Sequence, residues 1–260
     1  MITSNANAKV KNIVALCEKA GKRRDAQQFI VEGIKMFEEA PKEHIKEVYV
    51  SESFLKKNKV SAKLQETGYE VVSDSVFQKM TDTKTPQGIL AVLSFFDHKK
   101  EEIIKKENAF ILILEDIQDP GNLGTILRTA EGAGVSGVIM SKGCVDIYNP
   151  KVIRSTMGSI YRVPFVYTQD LHETIQNCKE QGIVTYAAHL KGKKSYDQFS
   201  YVKGCAFMIG NEGNGLKEET AAMADEYLII PMAGKVESLN AAIATSVLAF
   251  EAARQRRVKP

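Results

Sequence analysis

The chain has 260 residues, is 44% hydrophobic and 26% charged, and carries a formal net charge of +3. That describes an ordinary globular protein of one large or two modest domains, with room for a sizeable core. It excludes a low-complexity chain, and no apolar stretch is long enough to span a bilayer. The whole-molecule field is weak, so a polyanionic partner would have to be met by local basic stretches: Lys19–Arg24, Lys56-Lys57, Lys191–Lys194 and Arg254–Arg257.

Val10, Ile13, Val14 and Leu16 share a helical face, which predicts a helix over 8–20 ended by Gly21. Phe29–Val31 reads as a strand, followed by Glu32-Gly33 and a short helix. Strands are expected at Val48–Val50, Tyr69–Val72 and Ile89–Leu93, with helices over roughly 52–67 and 74–80 between them. This gives a small α/β domain over residues 1–95. The most charged stretch of the chain follows and reads as a linker over 96–108 with some helix. Phe110–Leu114 then opens a second domain, 109–260, with an apolar run suited to a strand buried on both faces. Further strands at 137–140, 164–167, 183–187, 205–209 and 227–230 alternate with helices, predicting a parallel-sheet α/β domain.

The four cysteines, Cys17, Cys144, Cys178 and Cys205, form no CxxC pair, and the histidines complete no zinc spacing. The expectation is free thiols, no metal, and a cytoplasmic protein without an evident signal peptide.

Three strings stand out. Each follows a hydrophobic strand and leads into a helix. They are Asp119-Pro120-Gly121-Asn122-Leu123-Gly124 with Arg128, Gly210-Asn211-Glu212-Gly213-Asn214-Gly215, and Ile230-Pro231-Met232-Ala233-Gly234 running on to Glu237-Ser238-Leu239-Asn240. In an open α/β sheet such loops converge on one crevice at the carboxyl ends of the strands. Asn122 is a candidate N-cap for the first helix and Ser238 for the last. Arg128 projects opposite the apolar positions Leu123, Ile126, Leu127 and Ala130. The glycines of the second string permit positive φ and close backbone approach to a ligand. Neither a P-loop nor the dinucleotide GxGxxG fingerprint is present.

Together the three strings closely resemble the signature motifs of the SpoU-type RNA ribose methyltransferases of the SPOUT superfamily. The match covers roughly 108–257 and includes Arg154–Ser159 between the first two motifs. More loosely, Phe29 to Gly33 and Gln87-Gly88-Ile89 are similar to the family's leading substrate-binding domain. The resemblance implies S-adenosylmethionine as methyl donor, a ribose 2′-hydroxyl as acceptor, a deep trefoil knot and a homodimer. It implies a catalytic group of Arg128, Asn122, Glu212, Ser238 and Asn240. Leu190, Gly210, Asn211, Gly215, Ile230, Met232 and Leu239 would hold the donor. Lys19, Lys22, Arg23, Arg24 and Arg154 are candidates for RNA binding. Arg128 either handles the hydroxyl proton with help from a substrate phosphate or stabilises the developing alkoxide; electrostatic stabilisation is preferred because arginine is normally protonated. The leading domain tilts the expected substrate towards ribosomal rather than transfer RNA. A non-catalytic RNA-binding assembly factor and a nucleotide-dependent enzyme are the competing classes.

Overall fold

The computed structural model describes residues 1–257. They form two units, Met1–Asp97 with Asp146–Tyr161, and His98–Val145 with the chain from Arg162 onward.

The first unit is built on β1 (Gln28–Glu32), β2 (Ile45–Ser51), β3 (Glu70–Val72) and β4 (Ile89–Ser94), in the order β1-β4-β2-β3. β4 runs antiparallel to β1 and β2, and β3 parallel to β2. Ile13 and Leu16 from the helix Ala8–Glu18 and Val76 and Phe77 from the helix Asp74–Met80 cover Ile30, Tyr49, Leu90 and Val92. The two strings Val31-Glu32-Gly33 and Gln87-Gly88-Ile89 meet here. Gln87 Oε1 accepts from Ile34 N at 2.9 Å, and Gly33 N donates to Ile89 O at 3.0 Å.

Two sequence expectations need correction in this unit. The stretch 52–67 is two helices, Glu52–Lys57 and Ala62–Thr67, each started by its own serine cap, Ser51 and Ser61. The first helix ends at Glu18, and Gly21 lies inside a second helix, Ala20–Ala26. Arg23 accounts for the break. Its guanidinium donates to Leu16 O at 2.7 Å, to Cys17 O at 3.1 Å and twice to Asp146 Oδ2. It thereby satisfies carbonyls in the last turn of the preceding helix, which a helix leaves unpaired.

The chain returns to this unit at 146–161. Tyr148 stacks on Phe95 with ring centroids 3.8 Å apart and leans on Phe29 at 4.6 Å. Tyr161 Oη donates to Met36 O. The helix Pro150–Thr156 carries Arg154, which pairs with Asp82 at 3.0 Å. A division into 1–95, 96–108 and 109–260 does not anticipate this return. Within the stretch read as a linker, the helix Lys100–Ile104 buries Ile103 and Ile104 in the core of the second unit.

The second unit holds β5 (Phe110–Leu114), β6 (Gly137–Ser141), β7 (Phe165–Thr168), β8 (Val184–Ala188), β9 (Lys194–Ser195), β10 (Cys205–Ile209) and β11 (Glu226–Ile229). The sheet order is β7-β6-β5-β10-β8-β11-β9, with every pair parallel. Every residue of β5 and β10 is buried, as expected of central strands covered on both faces. Ile111, Ile113, Ala206 and Met208 face Ile175 and Cys178 of the helix Leu171–Glu180. By the alternation of side chains, Phe110 and Phe207 point to the other face, where their rings meet edge-on at 5.9 Å. The helices Pro120–Ala133 and Ala241–Arg257 lie against each other, with Thr129 Oγ1 and Ser246 Oγ 2.8 Å apart. β9, two residues in a basic stretch, is too short to leave a periodic signal.

From β5 the connections to β6 and β7 run one way along the sheet, and β10, β8 and β11 lie the other way. The boundary between β5 and β10 is therefore the switch point at which loops diverge and open a crevice. The first two strings leave the carboxyl ends of these two strands.

Candidate active site

The loop after β5 turns into the helix Pro120–Ala133. Asp119 is its N-cap, accepting from Asn122 N at 2.8 Å, and Pro120 takes the first helical position. Asn122, expected as the cap, is one turn inside, which frees its side chain for other contacts. Leu123, Ile126, Leu127 and Ala130 are fully buried, and Arg128 is exposed on the opposite side.

The loop after β10 closes on itself. Asn211 and Gly215 exchange both backbone hydrogen bonds, at 3.0 and 2.9 Å. Asn211 Oδ1 accepts from Gly213 N and Asn214 N, and its Nδ2 donates to Asp116 O. Of this string's glycines only Gly215 has positive φ, +68°. Gly210 is needed for a different reason, since a Cβ there would fall on the backbone of Gly215 and Leu216. The space a side chain would need at Gly210 is thus taken by the loop's own return.

A chain of hydrogen bonds joins all three strings. Glu212 accepts from Gln118 N and Asp119 N, both at 3.0 Å, and from Asn122 Nδ2 at 2.9 Å. Asn122 Oδ1 accepts from Asn240 Nδ2 at 3.0 Å. Asn240 Oδ1 in turn accepts from Ala242 N and Ile243 N, so Asn240 caps the last helix, the role expected of Ser238. A carboxylate only accepts, so Glu212 dictates which way Asn122 points, and Asn122 dictates Asn240. Burial works to raise the Glu212 carboxyl. The hydrogen bonds from Asn122 and the Gln118 and Asp119 amides outweigh it and hold the pKa below the usual value.

The third string is the least internally bonded. Among the described residues, no backbone group of 231–239 makes a hydrogen bond within the chain. Ile230, Met232 and Leu239 are half-buried, and Leu190 and Ser238 are exposed. Uncommitted amides and carbonyls beside these apolar side chains suit a ligand with a flat, heteroatom-rich ring such as adenine. The donor set of S-adenosylmethionine fits that description.

Outside the strings, Lys19, Lys22 and Arg24 are exposed, whereas Arg23 is 2% exposed and cannot contact RNA. Arg154 is half-buried against Asp82. Arg256, in another basic stretch, is also structural, lying over the Phe110 ring and donating to Tyr201 O, Asn108 O and Lys203 O. The cysteines are free thiols. Burial pushes Cys17 and Cys178 up to about 12 and Cys205 to about 11, so none of these supplies a thiolate. Among the described residues, no cluster could hold a metal and no helix is long and apolar enough to cross a membrane.

The sequence reading missed the support beneath the second loop. Glu115, 4% exposed, accepts from Lys217 N at 2.8 Å and from Thr220 Oγ1 at 2.6 Å. The only signal was an acidic pair, Glu115-Asp116, directly after a fully apolar strand.

The profile of the SpoU rRNA methylase family matches residues 109–250, and that of the MRM3-like substrate binding domain matches 7–91. The chain belongs to the SpoU rRNA methylase family. It is an RNA methyltransferase that uses S-adenosylmethionine, with an N-terminal substrate-binding domain before the parallel-sheet α/β domain. A 23S rRNA guanosine 2′-O-methyltransferase of Bacillus subtilis is 33% identical over 253 residues, covering 96% of this chain and 97% of that one. A crystal structure of an AdoMet-bound rRNA methyltransferase from Sinorhizobium meliloti superposes with a TM-score of 0.86 at 31% identity, covering 100% and 98% of the two chains. The SpoU methyltransferase AviRb from Streptomyces viridochromogenes, in complex with AdoMet, gives 0.85 at 25% identity over 98% and 100%.

Proposed function

We propose that this chain transfers a methyl group from S-adenosylmethionine to a ribose 2′-hydroxyl of ribosomal RNA. The observation that carries the reading is the hydrogen-bond chain Glu212–Asn122–Asn240, which binds three separate loops into one site at the sheet's switch point. The bound donor supplies an electrophilic methyl on a sulfonium. The protein's own task is to place a hydroxyl in line with it and to steady the charge that develops as the proton leaves.

Asn122, Ser238 and Asn240 orient the hydroxyl. Arg128 stabilises the developing alkoxide. Glu212 acts through Asn122 and the amides of 118 and 119, so it is a positioning residue. The donor is held by the backbone of Gly210 and of the 230–239 segment, beside a loop whose shape the paired Asn211 and Gly215 keep, with Leu190, Ile230, Met232 and Leu239 against its apolar parts. Lys19, Lys22 and Arg24 of the first unit, with Arg154, contribute to RNA binding.

The relatives named for ribosomal RNA and matched along their whole length favour that substrate over transfer RNA. Assembly as a homodimer is supported by Ile243 and Phe250, two turns apart on the last helix and 50% and 48% exposed. The knot and a cytoplasmic location complete the proposal. The deciding experiment incubates the full chain with isotopically labelled donor and deproteinised large-subunit ribosomal RNA, then analyses the nucleosides by mass spectrometry. The label is expected on one ribose; label on a base, or none on RNA, rejects the reading.

A further inference from the structure

A cavity of about 320 Å³ opens at the carboxyl ends of β5, β6 and β7. None of the motif residues lines it, yet it shares the sheet edge with the three loops. β5 runs into its wall at Glu115 and Asp116, and the chain continues from there to Asp119 and Asn122.

Its chemistry is specific. Asp116 lies in the left-handed region, at φ +54°. Its carboxylate accepts from Ser141 Oγ at 2.7 Å and pairs with Lys217 Nζ at 2.9 Å. The Lys217 bond first, and the Ser141 bond second, hold the carboxyl below its usual value, so it stays charged. Gly143 leaves room for it, since a Cβ there would fall on the carboxylate. Asp170 spends one oxygen on Glu173 N at 3.0 Å, capping the helix Leu171–Glu180. The side chains of Lys142 and Gln169, also in the wall, make no polar contact among the described residues.

Glu115, Asp116, Asp170 and Glu219 outnumber Lys142 and Lys217 in the lining. A net acidic wall repels a phosphodiester and favours a group that presents N–H donors. The ring in its lining, His172, is half-buried with its Nε2 set 3.2 Å from Thr220 Oγ1, and the carboxylates with Lys142 and Gln169 are the groups left to read the edge of a base that lies against it. A nucleobase with an exocyclic amine presents donors beside ring or carbonyl acceptors, which matches carboxylates set beside an amide and an ammonium.

We propose that this cavity receives an amino-bearing nucleobase of the substrate RNA, splayed from its stack beside the methylated nucleotide. The assignment rests on the RNA methyltransferase reading above.

The test uses the full chain and transcripts of its RNA target. Each nucleotide flanking the methylated one is replaced in turn by an analogue lacking the exocyclic amine, such as inosine for guanosine. For the unaltered protein one replacement should lower kcat/KM about tenfold, the loss of one hydrogen bond to a charged group. The double variant Asp170→Asn, Glu219→Gln keeps the helix cap but loses a formal charge at each position. It should methylate the natural and substituted transcripts equally, with unchanged donor affinity and Tm. Lys142→Ala should raise KM for RNA and leave kcat alone. Methylation indifferent to every amine deletion, or a double variant that discriminates as well as the parent, overturns the assignment while leaving the enzyme's function intact. Absence of transfer to any RNA overturns the functional reading, and the cavity's assignment with it.

Discussion

The loops of the second unit and the basic stretch Lys19–Arg24 of the first are equally conspicuous as strings of letters, but they fold to opposite effect. In the loops, side chains that look scattered bond to one another, Glu212 to Asn122 and Asn122 to Asn240. In the basic stretch, side chains that look alike are divided. Arg23 turns inward to Asp146 and two carbonyls, while Lys19, Lys22 and Arg24 stay outside. A charge count cannot see that division, because it depends on which helical residue faces an unpaired carbonyl. Ordered motif spacing carries more, because it fixes several loops at once.

The sharpest test of the loop side is Arg128→Ala. Methyl transfer should fall ~100–1000-fold, the usual cost of losing one stabiliser of developing charge. Folding stability should stay within ~0.5 kcal/mol because the side chain is exposed. Steady-state rates and donor calorimetry on one preparation check both halves, and turnover near that of the parent removes Arg128 from the chemistry.

Arg23→Ala should break the other side of the comparison. Removing one partner of a buried pair costs ~3 kcal/mol, visible in a urea titration as a lower midpoint. A variant as stable as the parent but weak in RNA binding would restore Arg23 to the interface.

Gly210→Ala comes next. The second loop must open to admit a Cβ, an overpacking cost of ~1–3 kcal/mol, so donor affinity should drop roughly tenfold. Unchanged affinity would separate this loop from the donor site.

A smaller effect is expected of pH. Folding lowers the Glu212 pKa, so the stability it contributes is complete above the ordinary value of 4.5 and is lost as pH falls through the lower folded value. Glu212→Gln should flatten the fall of Tm on the acid side. Parallel curves for parent and variant would show that the carboxylate's charge is not what holds Asn122.

Smallest of all, Lys22→Ala should leave Tm alone and flatten the salt dependence of RNA binding by a log–log slope of about 0.7–0.9, one phosphate contact.

Much of the architecture was legible. Apolar runs such as Phe110–Leu114 and Cys205–Ile209 fixed the central strands, because strands buried on both faces need no polar alternation. The three strings were legible as loops and as a family signature. Their internal roles were not. Asp119, Asn122, Ser238 and Asn240 are all chemically able to cap a helix, and only the positions of neighbouring amides decide which does. Glu115 was invisible because a buried carboxylate announces itself through its partners, Lys217 and Thr220, about a hundred residues away in sequence.

The return of 146–161 to the first unit has a consequence for how this protein can be taken apart. The chain passes between the units at three places, 97–98, 145–146 and 161–162. A protease nick at the first leaves both halves covalently joined through the other two. A deletion of the leading residues strips Tyr148 of Phe29 and Phe95, and Asp146 of Arg23. The substrate-binding unit is thus not a removable cartridge, and transplanting it onto another catalytic domain would require splicing in two separate pieces of chain together.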